Sequence, residues 1–170
     1  LFLIKKKSFS IFPYLVILIG ISSFLFHIKP INLFSFLDVA SIILFIFFYN
    51  LKLLEKILNF SFLLSLILSL ILIICCYSIG FLLYKTYLGS SSFYIFLLVY
   101  MIIICYFIKA KSFKKLFFIG TLLFFLSLIF RTIDMYICDN FMIGSHFMWH
   151  ILNSFVLYCL VKYILLNNRT

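Results

Sequence analysis

The chain has 170 residues, 67% of them hydrophobic and only 11% charged, with a mean hydropathy of +1.33. That leaves too little polar surface to coat a water-soluble fold and points to an integral membrane protein. The net charge of +10 falls in short clusters between apolar runs; loops that set membrane topology look like this, and a phosphate-tracking groove for nucleic acid does not.

Six apolar segments approach the ~20 residues needed to cross hydrocarbon: 9–28, 31–49, 57–84, 92–109, 115–132 and 145–166. The first follows Lys5-Lys6-Lys7 and carries Ser23 and His27; it is too long for a signal peptide and reads as a retained span. Pro30 can open the second helix without losing a hydrogen bond. Asn50 to Lys56, Lys85 to Ser92 and Lys109 to Lys115 separate the next segments, and Asp134 to Gly144 leads into the last. Apolar residues run on without alternating, which excludes β-barrel strands. The expected fold is an all-α membrane bundle of about six transmembrane helices, one domain over residues 1–170.

Lys5, Lys6, Lys7, Lys52, Lys56, Lys109, Lys111, Lys114, Lys115 and Arg169 fall on one side of such a bundle, and only Lys29, Lys85 and Arg131 on the other. The rich side, with both chain ends, is expected to be cytoplasmic. Of Cys75, Cys76, Cys105, Cys138 and Cys159, none forms a Cys-x-x-Cys pair. A thiolate metal site and a disulfide framework are therefore not indicated.

All three histidines lie in or at the ends of apolar segments. His146 and His150 are four apart, one turn along one helix face. His27 ends the first segment, with Ser23 one turn before it, and Asp38 lies within the second. A helical hairpin turning near Pro30 puts His27 about 5 Å from the turn, and Ser23 and Asp38 about 10–12 Å from it. The last span enters from the same side, so all five side chains share one third of the bundle. Ionisable groups in spans are costly and mark function. Three imidazoles suit a catalytic zinc with one position open for water, whose pKa it lowers toward about 7. Asp38 is placed to orient or deprotonate that water and pass the proton to a leaving amine. Ser23 is placed to donate to the ligands or to a developing oxyanion. Trp149 reads as an interfacial anchor, Arg131 and Asp134 as a helix-end ion pair, and Asp139 as a solvated loop charge.

The joint pattern Ser23-x3-His27-x10-Asp38, Asp134-x3-Cys138 and His146-x2-Trp149-His150 resembles the alkaline ceramidase family. This family belongs to a wider group of seven-span membrane hydrolases that includes the adiponectin receptors. The resemblance implies a zinc amidase with His27, His146 and His150 as metal ligands and Asp38 and Ser23 assisting. The substrate would be a bilayer lipid, ceramide, split into a sphingoid base and a fatty acid. The six segments would then be spans two to seven, which suits a chain beginning at Leu1. The acidic calcium-binding segment that precedes the first span in the animal enzymes has no counterpart here, and Arg131 stands where those enzymes tend to have Trp. The alternatives are a zinc hydrolase of another lipid amide or ester, an adiponectin-receptor-like signalling protein, and a haem-binding electron carrier.

Overall fold

The computed structural model describes residues 11–108, 111–137 and 144–167. The expectations placed on Lys5, Lys6, Lys7, Lys109, Cys138, Asp139 and Arg169 lie outside these residues. Six α-helices follow one another: α1 Phe12–Ile28, α2 Asn32–Lys56, α3 Phe62–Leu83, α4 Ser92–Phe107, α5 Lys111–Ile137 and α6 His146–Asn167. A 3₁₀ turn, Gly89–Ser91, leads into α4, and the described residues contain no strand. Five helical stretches are long and apolar enough to cross a membrane, and α1 is apolar but 17 residues long over its described part. The chain divides into two compact units, Leu1–Ile73 and Ile74–Thr170, with the division inside α3.

In the first unit α1 and α2 form a hairpin. Pro30 precedes the N-cap residue Ile31 and so lies just outside the first turn that the sequence assigned it to. Deep between the helices the Ser22 and Ser41 hydroxyls lie 2.9 Å apart, each also within reach of a carbonyl of its own helix, Ile19 or Asp38, so that two O–H donors are shared over three contacts. Back-bonding of this kind satisfies a serine hydroxyl in an apolar setting. Further along, the Phe12 ring meets Phe45 and Tyr49 edge-on.

α2 runs through Asn50–Lys56, which the sequence suggested as a loop. Asn50, Leu53 and Leu54 are buried there, and the Asn50 amide donates to Ser69 Oγ at 3.1 Å. Packing on one face keeps the polar stretch helical. The chain reverses at Asn59, whose φ of 58° is left-handed, a conformation asparagine tolerates better than most residues.

In the second unit Ser92 Oγ donates to the Gly80 carbonyl at 2.8 Å, tying α4 to α3. Gly80 lies so close against Phe93 that a Cβ would overlap both its ring and its backbone. α5 and α6 pack antiparallel in one fixed register. Asp134 meets His146, Arg131 meets Trp149, Ser127 meets Asn153, Gly120 meets Leu160 and Phe117 meets Tyr163. Every step of three, four or seven residues back along α5 is matched by the same step forward along α6, as helical faces in contact require. At Gly120 a Cβ would come to 3.3 Å from that of Cys159, so the missing side chain lets the helices close. Phe117 and Tyr163 fill the far end, 1% and 0% exposed.

Candidate metal centre

The start of α6 is built by its neighbour. Gly144 has φ +61°, and the Asp134 carboxylate lies where a side chain on it would point, so glycine is needed there twice over. Asp134 Oδ1 accepts from the backbone N–H groups of Ser145 and His146, at 2.6 and 2.9 Å. The first N–H groups of a helix have no partner within it, and the helix dipole favours an anion beside them. Asp134 thus caps α6 from across the helix pair, while Ser145 Oγ donates to the Phe130 carbonyl at 2.8 Å.

This corrects the expected Arg131–Asp134 ion pair. Asp134 is taken up by the α6 terminus, and its second oxygen lies 3.8 Å from His146 Nδ1. At that distance the contact is electrostatic, longer than the hydrogen bond by which a carboxylate orients a metal-binding imidazole. Ser145 ahead of an apolar run signals a helix start, but not that a carboxylate eleven residues earlier caps it.

His146 and His150 stack one turn apart on α6, with ring centroids 4.8 Å apart and planes at 76°. His27 stands in the last turn of α1, its side chain exposed. His27, His146 and His150 each offer a ring nitrogen, and these atoms lie within 4.8 Å of one another. Zinc–imidazole bonds of about 2.0–2.1 Å in a tetrahedral shell hold ligand nitrogens about 3–4 Å apart. At up to 4.8 Å the three nitrogens stand about 1–2 Å wider than such a shell. Three neutral imidazoles also match the borderline-soft character of zinc, so the residues fit the ion.

Ser23 is half-buried on α1, one turn before His27 on the same face. Asp38 is half-buried on α2, with its Oδ1 wholly buried. The serine tied into the hairpin is Ser22, which the sequence reading passed over.

Trp149 is no interfacial anchor. It is 5% exposed and packs on Tyr94 and Phe124, with ring centroids at 5.2 and 6.3 Å. The Arg131 guanidinium lies over Trp149 at 4.7 Å and over Tyr94 at 5.4 Å. Cys75, Cys76, Cys105 and Cys159 are free thiols. No family model, curated protein or solved structure matches this chain.

Proposed function

We propose that the chain is a multi-pass membrane hydrolase in which His27, His146 and His150 hold a zinc ion and the substrate is a lipid amide, with ceramide the first to test. The observation that carries this reading is the approach of three imidazole nitrogens to within 4.8 Å of one another. Five long apolar helices, with outward phenylalanines and leucines such as Phe36, Phe81 and Leu82, support a bilayer setting.

When bound, zinc would supply a water of lowered pKa and polarise the amide carbonyl. The three imidazoles bind in their neutral form, and the Asp134 carboxylate beside His146 favours a cation there. The Asp38 carboxylate takes the proton from water and returns it to the departing amine. The Ser23 hydroxyl donates to the amide oxygen as charge builds there. A substrate whose acyl chains already lie in the bilayer reaches such residues without leaving it. In this reading the lysine-rich connections face the cytoplasm. Maleimide labelling of a Lys56→Cys variant from the outer face alone would reverse the orientation.

The test is metal analysis of the purified chain, followed by mass spectrometry of fatty acid released from ceramide and from other lipid amides. About one zinc per chain and amide cleavage are expected, both lost in His150→Ala. A zinc-free protein, or one with a haem Soret band, would overturn the metal assignment. Bound zinc with no cleavage of any lipid amide would overturn the hydrolase.

A further inference from the structure

Arg131 is a charge inside an apolar helix, three residues before the end of the Lys114–Asp134 stretch. At 1.5 Å per residue it lies about 5 Å within that end. A cation at such a depth is costly and is ordinarily paired. Arg131 has no ion pair among the described residues: Glu55 is engaged by Lys52 and Lys56, and Asp134 by the α6 terminus and His146. A guanidinium carries five N–H donors, of which one is used, from Nη2 to Ser90 Oγ at 3.3 Å. Its Nε is buried and has no hydrogen-bond partner.

The surroundings hold the group without neutralising it. Trp149 and Tyr94 offer ring faces at 4.7 and 5.4 Å, which hold the cation without using its N–H donors. Ser90 and Ser91 lie in the turn that becomes α4, so Arg131 bonds at the positive end of a helix dipole, where a second positive charge is unfavourable. Ser91 is 0% exposed and its hydroxyl also has no partner. A guanidinium without a counter-charge and the helix N-terminus it bonds to both favour one ligand: an oxyanion.

We propose that Arg131, with Ser90, binds the oxyanion head group of a lipid. The depth of Arg131 near the end of a span matches a head group whose chains extend along the bundle. The side chain is only part-buried, so the site is open to a ligand. This inference rests on α5 being a bilayer span, and not on zinc. Trp149 adjoins His150 in α6, so a head group at Arg131 would lie within about one helix diameter, roughly 10 Å, of the histidine pair. For the proposed hydrolase it would favour lipid amides bearing phosphate or carboxylate over neutral ones.

The chain has one tryptophan, and that residue is the one stacked on Arg131, so its fluorescence reports the site directly. The full chain in dodecyl maltoside is stripped of metal with a chelator and titrated with dodecyl phosphate, with inorganic phosphate, and with added dodecyl maltoside. A saturable change in Trp149 emission with dodecyl phosphate is expected, at least tenfold weaker in Arg131→Gln and less weakened in Arg131→Lys. Neither of the other two additions should reproduce it. An affinity unchanged in Arg131→Gln, or no saturable response in the native chain, would overturn the site. An equal response to inorganic phosphate would overturn the lipid assignment. A response seen only before metal removal would place the anion on the metal and overturn the proposal. Should Arg131→Gln fail to fold, Ser90→Ala serves in its place, with a several-fold weakening expected and unchanged affinity counting against the site. Failure of the hydrolase reading would leave the titration untouched.

Discussion

The two units of the chain hold their helices together by different chemistry. In the first, two buried polar contacts between helices join neutral groups, Ser22 to Ser41 and Asn50 to Ser69. In the second, ionisable groups take part: Asp134 closes the end of α6 and touches His146, and Arg131 stacks on Trp149 and Tyr94. Neutral hydrogen bonds between apolar helices are worth about 0.6 kcal/mol on average and serve as fasteners. Buried charges cost far more, and a chain with four acidic residues does not spread them about for packing alone. The contrast sets apart the second unit, where charged side chains take part in the packing of helices. Asp38 is the exception that tests it, a carboxylate with one oxygen fully buried in the unit of neutral contacts.

The sharpest way to probe that exception is Asp38→Asn. If the carboxylate is there for proton transfer, turnover should fall about 10²–10⁴-fold while zinc stays bound. Undiminished hydrolysis, measured as fatty acid released, would remove Asp38 from the mechanism and leave it a costly packing group. Ser23→Ala should slow turnover by up to about 10²–10³-fold if its hydroxyl meets the developing oxyanion. In contrast, Ser22→Ala should leave turnover at the native rate, and equal losses in the two variants would erase the distinction between neighbouring serines. Asp134→Asn keeps an oxygen for the α6 N–H groups but loses the charge beside His146. It should weaken zinc binding about 10–100-fold in a chelator competition with little change in helix content. If zinc affinity stays native, Asp134 is a helix cap and nothing more. Smallest of all, a double-mutant cycle on Ser22→Ala and Ser41→Ala should return a coupling near 0.6 kcal/mol in a detergent unfolding assay. A coupling of several kcal/mol would show that the first unit also depends on strong polar contacts.

The number of helices was legible because long uninterrupted apolar runs have few other solutions. Their ends were not. Lysine and glutamate are good helix formers, so α2 continues through Lys52, Glu55 and Lys56, and α5 already begins at Lys111. The histidine pair was legible from its spacing, since four residues on any helix give one face. That Ser22 meets α2 was not, because it turns on which face of α1 packs there, and both faces are apolar. Reading Arg131 and Asp134 as partners was reasonable for residues three apart, but it overlooked the unpaired N–H groups at the start of α6, which compete for the same carboxylate. Trp149 was misplaced for a similar reason: its ring supports a cation that no neighbouring residue in the sequence would suggest.

The fixed register of α5 against α6 makes the pair behave like a rigid ruler. From Leu160, where Gly120 lets the helices touch, to His146 is about 21 Å along α6. A small tilt at that near-hinge sweeps a larger arc at the histidines. Widening the contact by a single methyl group, with Gly120→Ala, would turn the helices apart at their closest point and move the ligand end without altering any residue near it. Crowding here acts on the far end as a lever acts on its load, so the contact of Asp134 with the start of α6 answers to a change about 21 Å away along the helix.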